Sequence, residues 1–591
     1  MVYEKVPRHL AHGRKVITTR WLDVNKGDTQ RPNYRARLVG RELKLKDKRL
    51  DLFAATPPLE SLRLLCSICA SHQDRPSPYR MLSIDVKRAY FYAEAKREVF
   101  IEIPLEDWEP GDEHKVARLN LSFYGTRDAA QNWSEEFTRT LVASGFQTGK
   151  ATPCNFVHQS REVYVTVHGD DFTAVGPAKD LQWFEGVMKA KYDIKVEYLG
   201  PKSEGCVEEI RVLNRTIRWT NDGLEYEPDC RHAEMVIRHL GVENCKPVTT
   251  PGCTEAEYDE TSRGEYEPLR GAEATEYRTL AARLNYLALD RMDIQFAVKE
   301  VAKHMARPVA LDWVKLKRLA RYLAGKPRYV QRYEWQHFPS HLDAFADSDW
   351  AGDKTTRKST SGGLLTMGGH LIKSWSSSQP TIALSSGEAE LYAIVKAASQ
   401  AAGLVSMLCD FGFNTSATVH TDSSAAIGIT HRRGLGKTRH IHVQYLWVQE
   451  KVSNKELTVQ KVGTNDNPAD AMTKNLKAEA LNRHVQSMGG WLPETVASTS
   501  LTINGLSRAD EWNYSGDHFV RAHNKPRETL FTPMKVAGGP LAAAQIHSSR
   551  ITVGKFVGGQ DFVLVDNWKT SAEPHRRLQG AWTGRTIFQN V

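Results

Sequence analysis

The segment VYVTVHGDDFTAV, residues 163–175, constrains the fold more than any other part of the sequence. Val163, Val165 and Val167 alternate with other residues, as expected for a strand with one buried face. The run 169–171, Gly-Asp-Asp, then supplies turn residues before a second apolar run, which predicts a hairpin with two adjacent acids. A lone Asp-Asp in a turn is more often turn chemistry than a functional site, so this pair needs support from elsewhere in the chain.

A second strand-like run also leads into an acid. Residues 82–86 alternate like a strand that carries Asp85 near its end, and a stretch that permits a helix follows. Three carboxylates packed side by side would repel and raise each other's pKa unless divalent cations neutralised them. Since hard oxygen ligands select Mg²⁺ or Mn²⁺, Asp85, Asp170 and Asp171 predict a site for two metal ions.

Four more acids lie in the second half of the chain, each beside a different predicted element. They are Asp347 after a strand, Glu390 on a long helix, Asp422 at a strand-to-helix junction, and Asp470 just inside a helix that Pro468 can begin. Each acid alone is more often a surface or capping residue. Four acids on four elements together predict a second carboxylate site.

The helix that carries Glu390 is the best defined of these elements. In ALSSGEAELYAIVKAASQAAGLVSMLCDFG, Ser385 and Glu388 fit a capping box, and apolar residues recur along one helical stripe. The cap gives Glu388 a structural explanation. Glu390 borders the stripe and can point at a neighbouring sheet, so Glu390 is the predicted ligand.

The composition is that of an ordinary globular protein. At 591 residues the chain is longer than one hydrophobic core usually organises, so we expect two to four domains. No apolar stretch approaches the roughly 20 residues that cross a bilayer, and the N-terminus lacks the apolar core of a signal peptide. We therefore expect an intracellular protein without a membrane partner. The eight cysteines are scattered, and Cys66 and Cys69 lie in an apolar helical pattern that predicts buried, reduced thiols.

All of the excess charge lies at one end of the chain. Residues 1–50 hold 14 Lys and Arg against 5 Asp and Glu, which accounts for the whole net charge of +9. A basic segment of this kind suits a nucleic acid backbone, because cations displace its condensed counterions. A solvated basic face is the more common explanation for such a charge pattern.

The first carboxylate set lies among four segments that occur in the order and spacing of copia-class reverse transcriptases, and the chain resembles that family. The segments are RWLDVNKGDTQRPNYRARLVGRE, LSIDVKRAYFYAEAKREVFIEIP, LSFYGTRDAAQNW and VHGDDF. The resemblance implies a right-hand polymerase in which Asp85, Asp170 and Asp171 hold the metal ions. It also implies that Arg35 or Arg37 contacts the triphosphate, and that the Tyr90 ring lies under the sugar and selects dNTP over rNTP. Packing of Tyr90 in the core is compatible with that role.

The sequence departs from the family pattern at two places. It has His168-Gly169 where members usually carry an aromatic and a bulkier residue, and it ends the Tyr-Gly motif in Asp128 where most members have Gln. A carboxylate at position 128 would add negative charge near the triphosphate unless Arg127 offsets it. We therefore expect altered nucleotide contacts.

The second carboxylate set also lies in segments that resemble copia-class elements. These are DSDWAGDKTTRKSTSGG, SWSSSQPTIALSSGEAEL, TRHIHVQYLWVQE and NPADAMTK. The resemblance implies a ribonuclease H site in which Asp347, Glu390, Asp422 and Asp470 hold two Mg²⁺ ions and water attacks the RNA strand of a hybrid. For His440, assistance to product release, a contact with the substrate backbone and plain packing all stay open.

These observations predict an α+β chain in which a right-hand polymerase of fingers, palm and thumb precedes an α/β ribonuclease H-like domain. The expected parts are fingers and palm (1–253), an acidic linker or loop (254–276), thumb- or connection-like helices (277–335), the ribonuclease H-like domain (340–485) and an unassigned tail (486–591).

The expected function is RNA-directed DNA polymerase and ribonuclease H, with two Mg²⁺ ions, or Mn²⁺, in each site. The expected partners are an RNA template, an RNA–DNA hybrid, a primer and dNTPs, and we expect the remainder of a longer polyprotein to be absent. The expected location is the cytoplasm, a virus-like particle or the nucleus. Two alternatives stay open, namely a truncated remnant without activity and a repurposed nucleic-acid-binding protein.

Overall fold

The computed structural model describes residues 1–25, 32–43, 52–254, 256–436 and 438–493, and the backbone of five short strands between residues 535 and 589. The chain divides into two compact units. The first contains Met1–Lys48, Glu94–Ala129 and Ser498–Val591, and the second contains Arg49–Ala93 and Ala130–Ala497. Apart from those five strands, the predicted tail from residue 494 onward lies outside the described residues.

In chain order, the described strands are β1 (Tyr3–Pro7), β2 (Val16–Ile17), β3 (Thr19–Asn25), β4 (Tyr34–Gly40), β5 (Tyr79–Val86), β6 (Phe100–Ile101), β7 (Lys115–Leu119), β8 (Gln147–Thr148), β9 (Asn155–His158), β10 (Val163–His168), β11 (Asp171–Pro177), β12 (Ile194–Leu199), β13 (Glu209–Val212), β14 (Arg215–Trp219), β15 (Gly223–Glu227), β16 (Val330–Glu334), β17 (His341–Asp349), β18 (Thr360–Met367), β19 (His370–Ser378), β20 (Ser416–Thr421), β21 (Thr458–Lys461), β22 (Gly490–Trp491), β23 (Lys535–Val536), β24 (Gly539–Pro540), β25 (Ile551–Lys555), β26 (Asp561–Asp566) and β27 (Arg585–Gln589).

The α-helices follow in the same order: α1 (Leu59–Ala70), α2 (Ala129–Ala143), α3 (Ala178–Lys189), α4 (Arg231–His239), α5 (Gly271–Leu287), α6 (Gln295–Ala302), α7 (Asp312–Gly325), α8 (Ser386–Asp410), α9 (Ser424–His431), α10 (Trp447–Ser453) and α11 (Ala478–Ser487). Strands and helices are interspersed along the whole described chain, which confirms the predicted α+β class.

The first unit is built from small sheets. One has four strands in the order β1-β7-β6-β2, and β3 and β4 form a separate antiparallel hairpin. The C-terminal strands form a pair, β23-β24, and a three-stranded sheet, β25-β26-β27.

The second unit contains the predicted hairpin. A six-stranded sheet, here called the hairpin sheet, has the order β12-β5-β11-β10-β9-β8. Gly169 has a φ of +67°, which suits the tight turn between β10 and β11. The Trp133 indole N–H donates to the Gly169 carbonyl oxygen at 2.8 Å, so the turn is held from α2. The predicted strand–turn–strand is confirmed, although Asp171 already belongs to β11.

One face of the hairpin sheet is covered by α2 and α3. Apolar side chains of β5, β10 and β11 pack there against rings and aliphatic groups of the two helices. By alternation along each strand, Asp85 and Asp171 lie on the other face. The carboxylates are therefore kept off the face that α2 and α3 cover.

Two further groups complete the middle of the second unit. A five-stranded sheet has the order β13-β14-β15-β16-β22, and α4, α5, α6 and α7 share an apolar core. The predicted acidic linker over 254–276 is partly structured, since α5 already begins at Gly271 and Tyr258 is buried. Arg263 of this segment is paired with Asp312 at 3.0 Å, which ties the segment to α7.

The C-terminal module, residues 341–487, is a mixed sheet with helices packed on it. Its strand order is β19-β18-β17-β20-β21, in which β17 and β20 are parallel and β17, β18 and β19 are antiparallel. Ser385 caps α8 by accepting the Glu388 N–H, as predicted, but the Glu388 carboxylate accepts from the N–H of Leu384 and not of Ser385. The predicted apolar stripe of α8 is buried.

Helix α8 is long and apolar enough to span a membrane by length and composition, and it is the one such helix in the part of the chain that the structure describes. Its apolar side chains pack against β17, β18 and β20. Packing in the module therefore accounts for its composition.

Gly363 offers a test of how tightly the module is packed. It lies in β18 opposite Ala346 and Trp375, and an added methyl group would meet the Trp375 ring and lie 2.7 Å from the Phe345 carbonyl oxygen. We expect Gly363→Ala to lower the free energy of unfolding by about 2 kcal/mol, because the buried strand has no room for the group. Urea denaturation followed by fluorescence measures this loss.

Gly403 provides the matched control in α8. An added methyl group there would meet nothing within 4 Å, and the residue is exposed. Gly403→Ala should raise the free energy of unfolding by up to about 1 kcal/mol, because alanine favours a helix. A loss as large as that of Gly363→Ala would contradict the close packing proposed for β18.

Candidate metal-binding sites

Asp347 lies in β17, at the centre of the C-terminal sheet. Its side chain is 3% exposed, and it accepts a hydrogen bond from the Thr473 hydroxyl. Burial raises the pKa of Asp347 to about 7, while Lys474 and the Thr473 hydrogen bond oppose the rise. The predicted end of the strand at Ala346 was too early, since β17 continues to Asp349.

Glu390 projects from the first part of α8 towards β17. It is 8% exposed, and its Oε1 accepts the Ser348 N–H at 3.2 Å. Burial raises the pKa of Glu390 to about 8, and the neighbouring charge of Asp347 adds to the rise. Glu388 instead accepts from the Tyr392 hydroxyl and contacts His440 Nε2 at 2.8 Å, so the two glutamates of the segment have different surroundings.

Asp422 completes a group of three. It follows the end of β20 and precedes Ser423, which caps α9, as predicted for a strand-to-helix junction. One ligand oxygen each of Asp347, Glu390 and Asp422 lies within 4.8 Å of the others. This group is therefore a candidate site for a cation.

The residues present fit a hard divalent cation. Glu390 Oε2 is buried and has no hydrogen-bond partner among the described residues. Leaving such an oxygen unsatisfied is costly, and carboxylate oxygens are what Mg²⁺ and Mn²⁺ prefer. A cation among the three carboxylates would satisfy that oxygen and offset both the burial and the smaller repulsion that raise the two pKa values.

Asp470 lies outside this group of three. It is in the short 3-10 helix Pro468–Met472, which Asn467 caps, and its Oδ1 is 2.9 Å from Lys474 Nζ. Lys474 also approaches Asp347 Oδ2 at 3.9 Å. We did not predict a role for Lys474, although its place four residues after Asp470 in the NPADAMTK segment was a usable signal.

The acids of the hairpin sheet meet across two strands. Asp85 on β5 lies directly opposite Asp171 on β11, and the Val86 N–H donates to the Asp170 carbonyl oxygen at 3.0 Å. All three acids are half-buried. Their oxygens do not form a group within 4.8 Å among the residues described, so this set is more open than the first.

A lysine and a histidine extend this cross-strand pair on its two sides. Lys195 on β12 is opposite Asp85, and His168 on β10 is opposite Asp171. The four side chains lie on one face of the sheet, since directly opposed residues share a face. His168, one of the two departures from the family pattern, thus lies beside the carboxylates.

Tyr90 lies close to these acids in the chain. It belongs to the 3-10 helix Ala89–Tyr92, is half-buried and packs against the core of the hairpin sheet. Part of its ring surface is therefore explained by packing, as we considered from the sequence.

The remaining predicted contact residues belong to the first unit. Arg35 and Arg37 lie in β4, and the Arg37 guanidinium is 5.8 Å from the centre of the Tyr124 ring. The Arg127 N–H donates to Glu42 at 2.8 Å. Asp128 is buried and accepts from Arg97 at 2.8 Å, so Arg97 provides an offsetting charge of the kind that we considered for Arg127.

Comparison with known proteins places the chain in a class. Residues 2–253, which contain the hairpin acids, match the family described as reverse transcriptase (RNA-dependent DNA polymerase). The chain is 28% identical over 480 residues to the retrovirus-related Pol polyprotein from transposon TNT 1-94 of Nicotiana tabacum, covering 79% of this chain and 35% of that protein. It is 27% identical over 491 residues to the Pol polyprotein from transposon RE2 of Arabidopsis thaliana, covering 80% of this chain and 32% of that protein.

The chain resembles the Pol polyproteins of copia-class LTR retrotransposons, and its residues 2–253 match the reverse transcriptase family. It spans about a third of the length of these curated relatives. Among solved structures, a foamy viral protease–reverse transcriptase in complex with double-stranded DNA is similar with a TM-score of 0.44 and 10% identity, covering 78% of this chain and 67% of that one.

The raised pKa values predict how stability depends on pH in the metal-free chain. Between pH 4 and pH 8, Asp347 and Glu390 hold protons in the folded state that the unfolded chain has released, so stability falls as the pH rises. Asp347→Asn removes one of these groups. The free energy of unfolding of Asp347→Asn, relative to that of the unchanged chain, should therefore increase by about 1 kcal/mol or more from pH 5 to pH 8. Thermal unfolding in EDTA measures the difference.

Mg²⁺ supplies the matched control for this prediction. At pH 8 it should raise the melting temperature of the unchanged chain more than that of Asp347→Asn, because it binds the ionised carboxylates. A stability difference that stays constant over the pH range would contradict the raised pKa of Asp347.

Proposed function

We propose that the chain is an RNA-directed DNA polymerase that also hydrolyses the RNA strand of an RNA–DNA hybrid, with two Mg²⁺ ions at each carboxylate site. The observation that carries the proposal is the presence of two separate carboxylate sets on two sheets of the second unit. One of these sets lies within the residues that match the reverse transcriptase family.

Asp85, Asp170 and Asp171 are proposed to hold the ions of the polymerase site. The ions would supply activation of the primer 3′-hydroxyl and stabilisation of the attacking and leaving oxygens in an in-line displacement. The protein's part is to hold Asp85 opposite Asp171, which the pairing of β5 with β11 provides. Tyr90 is proposed to contact the sugar, and Arg35, Arg37 and Arg127 to contact the triphosphate.

Asp347, Glu390 and Asp422 are proposed to hold the ions of the ribonuclease H site, with Asp470 as a fourth ligand. Water would attack the scissile phosphate, and recognition of 2′-hydroxyls would select the RNA strand. Lys474 contacts Asp470 and Asp347, and so partly neutralises the site when no cation is bound.

The proposed partners follow from the two reactions. They are an RNA template, a primer, dNTPs and the RNA–DNA hybrid that forms during copying. The proposed location is the cytoplasm, a virus-like particle or the nucleus.

Separate inactivation of the two sites tests the proposal. Asp170→Asn should lower primer extension on an RNA template at least 100-fold and leave RNA cleavage unchanged, because it removes a ligand charge at one site only. Asp347→Asn should lower RNA cleavage at least 100-fold and leave extension unchanged. Both reactions are followed in one Mg²⁺-containing tube with labelled primer and labelled RNA.

Each variant is the control of the other. If the Asp170→Asn variant still extended the primer, the proposed polymerase site would be ruled out. No reaction by the unchanged chain would identify an inactive remnant, and tight hybrid binding that is insensitive to EDTA and to both substitutions would identify a repurposed binding protein.

Tyr90→Ala tests the proposed selection of the sugar. If the ring contacts the sugar, the ratio of rNTP to dNTP incorporation should rise by about tenfold or more, equivalent to ~1.4 kcal/mol. Steady-state incorporation of a single nucleotide measures the ratio.

Tyr92→Ala is the matched control, because Tyr92 lies on the same 3-10 helix and its ring packs edge-on against Tyr192 at 5.1 Å. It should lower stability without changing the ratio. An unchanged ratio in Tyr90→Ala would leave Tyr90 with packing alone.

A further inference from the structure

The last residue of α8 holds a loop that leads into the hairpin sheet. Asp410 Oδ1 accepts the N–H groups of Lys150 at 2.7 Å and Ala151 at 3.1 Å, and Oδ2 accepts the Thr152 N–H at 2.8 Å. A methyl group added at Gly149 would lie 2.6 Å from Oδ2. A carboxylate that accepts three backbone N–H groups holds its partner loop in one position. We call these residues, 149–152 with Asp410, the loop clamp.

The loop clamp joins the elements that carry the two carboxylate sets. On the loop side, the Thr152 carbonyl oxygen accepts the N–H of Asn155, which begins β9, and β9 pairs with β10, the strand before Asp170. On the other side, Asp410 is on the same continuous helix as Glu390. Twenty residues of α-helix separate the two acids, a distance of about 30 Å.

Aromatic contacts make the junction around the clamp rigid. The Tyr164 ring of β10 packs edge-on against Phe411 at 5.8 Å and stacks on Phe413 at 5.2 Å. Phe413 in turn stacks on Phe338 at 4.3 Å. A single apolar core runs through α1, β10 and α8, and the clamp fixes the end of α8 at the edge of that core.

We propose that Asp410 is a positioning residue that fixes the distance between the polymerase site and the ribonuclease H site. A duplex has a constant rise per base pair, so two sites on one rigid body cut a bound hybrid at a constant number of nucleotides from the primer 3′ end. Without the clamp, the loop and α8 can shift against each other, and the cuts spread. This inference rests on the proposed function.

The test uses the full chain and a hybrid of 5′-labelled RNA with a recessed DNA primer, in Mg²⁺ without dNTPs. RNA cuts are mapped at single-nucleotide resolution. We expect the cuts to fall within a narrow range of RNA positions, here called the window. The window should move by three nucleotides when the primer is lengthened by three.

Two variants loosen the clamp from opposite sides. Asp410→Asn replaces the oxygen opposite the Thr152 N–H by an amide donor, and Gly149→Ala pushes the carboxylate away. Both should broaden the window at least twofold, while the total rate of cleavage of a long hybrid without a primer end stays within twofold. Glu208→Gln, at an exposed carboxylate, is the matched control and should keep the window.

The window distinguishes positioning from loss of stability. A variant that is only less stable lowers extension and cleavage together and keeps the window. Normal cleavage with an unchanged window in both variants overturns the inference but not the proposed function. Absence of cleavage by the unchanged chain overturns both.

Discussion

Helix α1 is buried on every side, and the second unit is assembled around it. Residues 61–70 are all buried, because the helix contacts β5, β10 and β11 of the hairpin sheet as well as β15, β16 and β19. Its one buried cation, Arg63, is 2.9 Å from Asp290 and donates to the carbonyl oxygens of Leu289 and Ile372. An unpaired guanidinium there would be costly, so these contacts restrict how the sheets sit around the helix.

The C-terminal module also buries charged groups, namely the acids Asp347 and Glu390. Burial raises the pKa of both Asp347 and Glu390, and the charge of Asp347 adds to the rise at Glu390, which a purely structural core would avoid. Thr473 and Lys474 reduce this cost without removing it, because Glu390 Oε2 still has no partner among the described residues. These buried acids therefore lower the stability of the module, and a cation bound between them would restore it.

Local patterns were sufficient to predict the elements that carry the acids. Alternation predicted β5, β10 and β11, and one apolar stripe predicted α8 and the inward direction of Glu390. Contacts between residues distant in sequence were beyond such patterns. The parallel pairing of β17 with β20 and the Asp410 clamp depend on which surfaces meet, and nothing near Asp410 in the sequence identifies residues 150–152 as its partners.

Local sequence patterns were equally unable to identify the ion-pair partners of charged residues. Asp128 was expected to depend on the adjacent Arg127, but its partner is Arg97, 31 residues earlier, which also contacts Glu42. Cations of the basic segment 1–50 also have ion-pair partners that are distant in the sequence.

Three of the cations in that segment are paired inside the first unit, Lys5 with Asp112, Arg8 with Glu102 and Arg14 with Glu98. The two pairs of Arg8 and Arg14 are exposed and add little stability, whereas Asp112 is buried, yet each of the three pairs reduces the charge available to a phosphate backbone. Arg20 and Arg37 of the β3–β4 hairpin stay exposed. Within the described residues, the cations of the segment that stay exposed for the expected contact with nucleic acid therefore include Lys15 as well as those of that hairpin.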